Sequence, residues 1–248
     1  MTAKLREGVE LQRRYYTETA SRYGQMHAHE GAADAFANKV FRSILTMVGA
    51  RSVLDVGTAN GKTLHEMRES FPELFVCGIE PVAALVQEAL RGNFAVPGCI
   101  IRATGETLPF ADASFDVVCE FAVLHHVPNP QEVVREMLRV AKKAVFISDS
   151  NRFGQGSIAA RLLKFSLYKA GLWNTFNYLR TRGKGYRFTE GDGVAYSYSV
   201  YDSFQEVANW ADRVFLIPNS SEKHKSWFHP LFTSGGVIIC GLRGTIEE

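Results

Sequence analysis

The stretch of the sequence with the clearest chemical meaning is a short apolar run that ends in a glycine-bearing turn. Residues 53–61 read Val-Leu-Asp-Val-Gly-Thr-Ala-Asn-Gly, and a later apolar run, 74–79, is followed directly by Glu80. In a β-α-β unit such a turn brings the backbone close to a ligand, and an acid at the next strand end accepts hydrogen bonds from ribose hydroxyls. The pairing predicts a site for a nucleoside-containing ligand.

Two phosphate-binding interpretations of the turn match its spacing poorly. A dinucleotide site needs a G-x-G-x-x-G pattern, whereas Ala59 lies between Gly57 and Gly61 and no third glycine follows at the required offset. A P-loop needs four residues between its glycines, but only three separate Gly57 from Gly61, although Lys62 and Thr63 follow as in that motif. The P-loop stays open as the weaker alternative.

Asp55 favours a third class of ligand through the sign of its charge. It precedes the turn, where a carboxylate repels a phosphate but suits the cationic amino-acid portion of S-adenosylmethionine. We therefore predict a nucleoside ligand without phosphates.

Several segments in this order resemble the class I S-adenosylmethionine-dependent methyltransferases, specifically the small single-domain group called type 11. Residues 54–61 resemble the first motif of that family, with Ala59 where glycine is usual, and Glu80 matches the acid that binds ribose. Thr104 stands where an Asp commonly contacts the adenine amine. Further segments resemble the third-strand and fourth-strand regions of the family: 105–110, 114–118 and 120–127.

The resemblance covers residues 50–150 well and implies a fold, an activity and a set of cofactor contacts. It implies S-adenosylmethionine as the cofactor of a methyltransferase, and an aromatic N-terminal helix that closes over it. The cofactor-binding residues that it implies are Tyr16, Tyr23, Asp55, Gly57, Thr58, Ala59, Gly61, Glu80, Pro81, Thr104, Gly105, Glu106, Glu120 and Phe121.

Two adjacent histidines are the candidates for catalysis. Methyl transfer depends chiefly on holding the acceptor near the methyl group and excluding water. A hydroxyl acceptor must also lose a proton, and His is the side chain best suited to remove it near neutral pH. His125 and His126 fall at the carboxyl end of the predicted fourth strand, where an open parallel sheet places its ligands. The alternative is that both rings anchor the loop 127–130 by hydrogen bonds.

A basic and aromatic stretch follows the predicted fifth strand. Residues 151–189 contain eight basic residues, eight aromatic residues and no acid, although the net charge of the chain is only +2. In the family that the chain resembles, an insertion here usually forms part of the lid over the acceptor. We predict a small, lipid-linked or glycan-linked acceptor that is anionic, with O-methylation as the leading chemistry. The candidate acceptor-binding residues are His27, His29, Asn151, Arg180, Arg182, Arg187 and Tyr196.

The same composition leaves other partners open. Basic and aromatic residues also suit RNA or an anionic bilayer surface, so 151–189 is compatible with peripheral membrane contact, or with a solvated basic face. Nucleic acid is the less favoured partner because no Asn/Asp-Pro-Pro-aromatic motif is present. A cofactor-binding regulator or partner subunit without catalysis is the non-enzymatic alternative. The sequence is compatible with a monomer or a homodimer.

The elements that must position these residues alternate along the chain. Helices are predicted at 11–23, 32–48, 62–69, 81–90, 131–140, 157–169 and 202–210, and strands at 52–56, 75–79, 98–102, 115–121, 144–148, 214–217 and 236–242. This order predicts an α/β fold: a Rossmann-like, seven-stranded, mostly parallel sheet with one antiparallel strand and helices on both faces. An N-terminal helical cap precedes the sheet, and a lid is inserted after the fifth strand.

Length and composition predict a single domain. The 248 residues are 46% hydrophobic and 22% charged, which suits one ordinary core. Its parts are predicted at 1–50 (cap), 51–150 (cofactor half), 151–210 (lid) and 211–248 (final strands). The four cysteines (Cys77, Cys99, Cys119 and Cys240) are predicted as buried strand residues, and no metal is expected. No signal peptide or membrane-spanning run is apparent, so a cytoplasmic location is expected.

Overall fold

Helices precede the sheet. The computed structural model describes residues 3–27, 32–95, 98–219 and 230–244. Helix α1 (Ala3–Thr19) leads through a 3-10 turn to the short α2 (Tyr23–Met26), and α3 (Ala32–Met47) follows. The apolar side chains of α3 that recur at helical spacing, among them Phe41 and Ile44, are buried against the sheet.

Strands and helices then alternate as the sequence pattern predicts. The cofactor half contains β1 (Ser52–Val56), α4 (Lys62–Ser70), β2 (Phe75–Ile79), α5 (Ala83–Arg91), β3 (Ile100–Ile101), β4 (Phe115–Phe121), α6 (Pro130–Val140) and β5 (Ala141–Ser150). The remaining elements are α7 (Ile158–Lys169), α8 (Trp173–Arg180), β6 (Tyr186–Thr189), β7 (Gly193–Tyr196), α9 (Phe204–Trp210), β8 (Arg213–Pro218), α10 (Pro230–Thr233) and β9 (Gly236–Leu242).

The main sheet confirms the predicted fold class. In the described part of the chain it contains seven strands in the order β3-β2-β1-β4-β5-β9-β8. Strand β9 pairs antiparallel with both β5 and β8, whereas β1 to β5 pair in parallel. The strand order reverses between β1 and β4, and ligands of open α/β sheets bind at the carboxyl ends of the strands beside such a reversal.

Apolar cores lie on both faces of this sheet. Helices α3 and α4 cover one face, where Phe41 and Phe146 are almost fully buried. Helices α6 and α9 cover the other, through side chains such as Met137 and Val207. Parallel strands buried on both faces explain the nearly continuous apolar runs of β1 and β4. Packing on both faces of the sheet holds in place the strand ends at which the candidate site lies.

Several predicted boundaries need correction. The strand predicted at 98–102 is reduced to Ile100–Ile101, and Cys99 is half-buried just before it. The strand predicted at 144–148 begins at Ala141, directly after α6. The helix predicted at 81–90 begins at Ala83, because the Glu80 carboxylate holds the Val82 amide in the preceding turn.

The insertion after β5 contains elements that the sequence pattern did not predict. Beyond α7 it holds α8 and a separate β6–β7 hairpin whose strands pair antiparallel. Helix α9 begins at Phe204, after a 3-10 turn (Val200–Asp202) with a Ser199–Asp202 capping box. Among the described residues, no helix has the length and hydropathy needed to cross a membrane.

Candidate active site

The glycine turn after β1 is held in a conformation that lets a ligand approach closely. The amides of Gly57 and Thr58 both donate to the carbonyl of Ile79, at 2.8 and 3.0 Å. Gly57 has φ +83°, and a Cβ built there would lie 2.9 Å from Cγ1 of Val123 and closer still to its Cγ2. Ala59 is also left-handed, with φ +50°. The turn therefore requires glycine at position 57 for both backbone and packing reasons.

Glu80 faces the cleft beside this turn with its orientation fixed by two amides. Its Oε2 accepts from the Ala59 amide at 3.1 Å, and its Oε1 accepts from the Val82 amide at 2.8 Å. Each carboxylate oxygen can accept a second hydrogen bond, so both keep capacity for a ligand hydroxyl. Burial outweighs these amides and raises the pKa of Glu80 to about 7.

Four of the predicted cofactor contacts lie behind the cleft wall. Asp55 is buried beneath the turn, and burial raises its pKa to about 6. Glu120 is fully buried, and its Oε2 accepts from the Val123 amide at 2.8 Å. Thr58 and Gly61 also do not line the cleft. In this arrangement the four residues shape the wall behind the cleft.

The cleft itself lies at the carboxyl ends of β1, β2 and β4, under α1. It is concave and lined mainly by apolar side chains with a few polar groups, as small-molecule sites usually are. The predicted cofactor residues that line it are Tyr16, Tyr23, Gly57, Ala59, Glu80, Pro81, Thr104, Gly105, Glu106 and Phe121. The structure thus brings residues from five separate segments to one concave surface.

The roof of the cleft is joined to the β6–β7 hairpin. The Val194 amide of the hairpin donates to Oε1 of Gln12 on α1, and the Tyr16 hydroxyl donates to the Asp192 carbonyl at 3.4 Å. Gln12 lines the cleft, and its buried Nε2 has no hydrogen-bond partner among the described residues. A buried donor left without a partner costs about 1–3 kcal/mol, so this amide is available to a ligand.

His125 is held between two carboxylates. Its Nδ1 lies 2.7 Å from Oδ1 of Asp149, and its Nε2 lies 3.6 Å from Oδ2 of Asp192. Burial alone would lower the pKa of His125, but Asp149 and Asp192 outweigh it and raise it to about 10. A ring that is already protonated near neutral pH cannot accept a substrate proton, so this arrangement does not support His125 as a general base.

His126 lines the cleft, with its ring 4.0 Å from that of His125. Its Nδ1 lies 2.6 Å from the Val194 carbonyl, which can only accept, so this nitrogen carries a proton. Its Nε2 lies 3.3 Å from Oδ1 of Asp192. Nε2 of His126 therefore faces Asp192 rather than an open position in the cleft.

A second cavity, the basic pocket, lies on the far side of the histidine pair. Its charged lining residues are His125, Arg152, Lys164, Arg180, Arg187 and Asp192. Tyr196 also lines it, and the buried Tyr196 hydroxyl has no hydrogen-bond partner among the described residues. Because cations outnumber the single acid, the pocket suits an anionic group.

Four other candidate acceptor residues lie elsewhere or are not described. Asn151 is fully buried, and its amide donates to the carbonyls of Leu231 and Ser234, both at 2.8 Å. Arg182 is exposed outside the basic pocket. The ring of His27 stacks on Tyr23, and its Nδ1 donates to the Tyr23 carbonyl at 3.0 Å. His29 lies outside the described residues.

Sequence reasoning missed three residues that shape the site. Asp192 bridges both histidines, Gln12 and Arg13 line the roof of the cleft, and none of them lies in a recognised motif. One signal was present for Asp192: residues 190–193 read Glu-Gly-Asp-Gly between alternating apolar residues, which is a typical hairpin turn. For Gln12 and Arg13 the helical pattern of α1 gives no sign of which face meets the cleft.

Comparisons with known proteins agree with this geometry. The methyltransferase domain family model matches residues 54–147. An uncharacterized methyltransferase of Mycobacterium marinum is 31% identical over 181 residues, which are 73% of this chain and 68% of that protein. One from Mycobacterium tuberculosis is 27% identical over 177 residues, 71% of this chain and 68% of the relative.

Solved structures share the fold at low sequence identity. Magnesium protoporphyrin IX methyltransferase from Synechocystis, with bound SAH, matches with a TM-score of 0.58 at 14% identity, over 96% of this chain and 100% of that chain. A SAM-dependent methyltransferase from Aquifex aeolicus matches with a TM-score of 0.52 at 15% identity, over 90% and 97% of the two chains.

Proposed function

This chain belongs to the class I S-adenosylmethionine-dependent methyltransferases, and we propose that it methylates an oxygen atom of an acceptor that carries an anionic group. The observation that carries the proposal is the basic pocket, whose lining residues His125 and Asp192 directly contact His126 of the cofactor cleft. An acceptor whose anionic end lies among the arginines can extend its other end towards the cleft.

The residues of the cleft fit the cofactor by the chemistry of their donors and acceptors. Glu80 keeps one acceptor position on each oxygen for the two ribose hydroxyls, and Gln12 has a buried donor without a partner. Gly57 and Gly105 keep the wall open, since a Cβ at either position would collide with a valine side chain. When bound, S-adenosylmethionine supplies an electrophilic methyl group attached to a positively charged sulfur.

The protein contributes mainly positioning and the exclusion of water. Helix α1 covers the cleft through Gln12 and Tyr16, and the hairpin holds that helix in place. Nε2 of each histidine faces Asp192, so neither ring is placed to take the proton of the acceptor, and the acceptor oxygen must be ionised in another way. An oxygen that is acidic in itself, or one that meets a cation, satisfies this condition.

The basic pocket supplies the attraction for the anionic end of the acceptor. Arg180 and Arg187 are surface arginines at its edge, and Tyr196 is part of its lining. A hydrogen bond between an ionised pair contributes about 1.5–3 kcal/mol, so the loss of one arginine contact weakens binding by roughly 10- to 100-fold. A small molecule, or the head group of a lipid-linked or glycan-linked molecule, meets this requirement.

The test replaces arginines inside and outside the pocket. Arg180→Gln and Arg187→Gln are compared with Arg182→Gln, an exposed arginine of the same segment that does not line the pocket. Inorganic pyrophosphate is titrated calorimetrically into protein saturated with S-adenosylhomocysteine. We expect the dissociation constant of pyrophosphate to rise at least roughly tenfold in the two pocket variants and to stay unchanged in Arg182→Gln.

The activity of each variant is then measured with a panel of hydroxylated carboxylic acids and phosphate esters, with S-adenosylhomocysteine formation as the readout. An acceptor that supports turnover should show a raised KM in the two pocket variants only. Equal effects in all three variants, or in none, would reject the anionic acceptor. Separate titration of S-adenosylhomocysteine keeps the cofactor assignment independent of that result.

A further inference from the structure

We propose that His125, His126 and Asp192 form a binding site for a divalent transition-metal ion between the cofactor cleft and the basic pocket. Each residue offers one ligand atom, and these three atoms lie within 4.8 Å of one another. The Nε2 atoms of His125 and His126 lie 3.6 and 3.3 Å from the two carboxylate oxygens of Asp192. The sequence predicts no metal because Asp192 is more than sixty residues away from the histidines along the chain.

Both histidines are already oriented as metal ligands usually are. A histidine that binds a metal through one ring nitrogen typically donates the other N–H to a carboxylate or a backbone carbonyl. Nδ1 of His125 bonds to the buried Asp149, whose second oxygen accepts the His125 amide at 3.1 Å. Nδ1 of His126 bonds to the Val194 carbonyl. Each ring therefore turns its Nε2 towards Asp192, and a bound ion would displace any proton on that nitrogen to solvent.

The spacing of the ligand atoms suits a small cation. Metal bonds of about 2.0–2.2 Å to nitrogen and oxygen place neighbouring ligand atoms roughly 3–3.5 Å apart. The two His–Asp separations are already close to that value. Two imidazoles with one carboxylate favour Zn²⁺, Fe²⁺ or Co²⁺ over the oxygen-seeking Mg²⁺ and Ca²⁺, and leave coordination positions open.

The bound ion would help to ionise the acceptor oxygen, and this role rests on the proposed function. A hydroxyl oxygen of the acceptor that coordinates the ion loses its proton to water more readily, because the ion stabilises the alkoxide. The oxygen then forms its bond to the methyl carbon as the bond from that carbon to sulfur breaks, and the bonding electron pair stays on sulfur. Asp192 is half exposed, so an ion can reach the site from solvent.

The first test is metal binding itself, which does not depend on any acceptor. Protein freed of metal with a chelator is titrated with Co²⁺, and the visible absorption of the bound ion is recorded. We expect a single ion per chain, with binding weakened at least roughly tenfold by Asp192→Asn and by His126→Gln. The matched control is His65→Gln, a half-buried histidine on α4 outside the triad.

Two further measurements keep the result unambiguous. Calorimetric titration of S-adenosylhomocysteine should give the same affinity in Asp192→Asn as in the wild type, which shows that the variant is folded and that the family function is intact. Removal and return of Zn²⁺ should abolish and restore turnover. An unchanged Co²⁺ spectrum in Asp192→Asn, or no Co²⁺ binding at all, would mean that the three side chains only contact one another and bind no metal.

A second inference rests on a different surface, the outer face of α7 and α8. We infer that this face binds an anionic lipid bilayer. Large apolar side chains are exposed there, with Ile158 76% and Leu179 69% accessible, and others of the same kind are Leu162, Leu163 and Leu172. Segment 151–189 has no acid, and three of its basic residues outside the basic pocket, Lys169, Arg182 and Lys184, are exposed, which complements an anionic membrane surface.

Vesicle sedimentation tests the bilayer as the occupant of this face. The wild type should sediment with vesicles of phosphatidylcholine and phosphatidylglycerol, and on the order of tenfold less with phosphatidylcholine alone. Leu162→Glu combined with Leu179→Glu should abolish binding. The control is Leu90→Glu, an exposed leucine of α5 on another part of the surface. Vesicle binding that survives the double change, or self-association of the wild type that the change removes, would overturn the inference.

Discussion

The cofactor cleft and the lid hold their polar groups in place in different ways. In the cleft, Glu80 bonds to the amides of Ala59 and Val82, which lie 21 and 2 residues away along the chain. In the lid, Arg152 bonds to Asp202 across 50 residues, and Asn151 bonds to Ser234 across 83. One region is organised by a turn and its adjacent strand ends, whereas the other depends on tertiary contacts.

This difference explains why the cofactor is the easier half of the function to recognise. A local turn has residue types and spacing that other members of the fold share, so the ligand class follows from a short stretch. The lid is positioned by contacts that no local pattern reveals. Its acceptor must therefore be inferred from the charge and shape of the assembled pocket.

The largest expected effect comes from Arg152, the centre of the lid. Its guanidinium bonds to Asp202 and to the Ser197 carbonyl at 2.6 Å, and it packs against the rings of Phe153 and Trp173. Arg152→Met leaves the Asp202 carboxylate buried without its partner, so we expect a loss of about 3–5 kcal/mol in the free energy of unfolding. Denaturant unfolding measures it, with the exposed Arg182→Met as the control.

Hydrogen exchange of the Arg152→Met variant separates the two regions. We expect amides of α7, α8 and the hairpin to lose protection while those of β1 and β4 keep it. Loss of protection spread evenly over β1, β4 and the lid would mean that the two regions unfold as one unit and that the contrast between them is wrong.

The next largest effect tests whether the turn after β1 tolerates any residue other than glycine at position 57. Gly57 and Gly98 have nearly the same backbone, φ +83° and +87°, but only Gly57 has a neighbour that a Cβ would overlap. Left-handed strain costs an L residue roughly 1–2 kcal/mol, and an overpacked methyl group adds about 1–3 kcal/mol. Gly57→Ala should therefore lower the free energy of unfolding by about 3 kcal/mol and Gly98→Ala by about 1 kcal/mol.

Combination with Val123→Ala checks the cause of the difference. Removing the valine methyl groups should recover part of the stability that Gly57→Ala loses, because the new Cβ overlaps with the Val123 side chain. If the double variant shows no recovery, the strain is in the backbone alone. In that case packing at Val123 does not constrain the turn.

The sequence predicted the fold and the cofactor half well, and the reasons are visible in particular residues. Four predicted strands match their observed bounds, Ser52–Val56, Phe75–Ile79, Phe115–Phe121 and the antiparallel Gly236–Leu242, because strands that are buried on both faces of the sheet leave nearly continuous apolar runs. The contact between Asp192 and the histidines was not predictable, since it arises from a hairpin that folds back on the sheet from a distant segment.

The protonation of Glu80 in the cofactor cleft should have a smaller effect, which is a dependence of the free energy of unfolding on pH. Burial raises its pKa from an ordinary 4.5 to about 7, so the folded state binds more protons than the unfolded state between these values. The free energy of unfolding therefore falls as pH rises through that window. From pH 5.5 to 7.5 we expect Glu80 to account for a loss of about 2 kcal/mol in the protein without cofactor.

Glu80→Gln isolates this contribution because Gln does not titrate. The difference in the free energy of unfolding between wild type and variant should change by about 2 kcal/mol over the same pH range. The control is Glu69→Gln, an exposed acid at the end of α4, which should leave the pH dependence unchanged. A parallel pH dependence in wild type and Glu80→Gln would show that Glu80 does not titrate in this window.

The smallest expected effect concerns the one position where the turn departs from the family pattern. Ala59 adopts φ +50° and Ala113 adopts φ +49°, but Ala113 is exposed whereas Ala59 packs against the buried cluster of Ala20, Val82 and Leu85. Glycine relieves left-handed strain at either position, while its greater freedom in the unfolded chain costs about 0.5–1 kcal/mol. We expect Ala113→Gly to raise the free energy of unfolding by up to about 1 kcal/mol.

Ala59→Gly should raise the free energy of unfolding by less than Ala113→Gly, because the lost methyl group also removes contacts with the buried cluster of Ala20, Val82 and Leu85. Its backbone amide still donates to Glu80, so the affinity for S-adenosylhomocysteine should stay within about threefold of the wild type. Equal stabilisation at both positions would mean that the methyl group of Ala59 adds nothing to packing. A large loss of affinity for S-adenosylhomocysteine would instead show that the methyl group of Ala59 matters for binding. It would then either contact the ligand itself or hold in place the tyrosines that contact it.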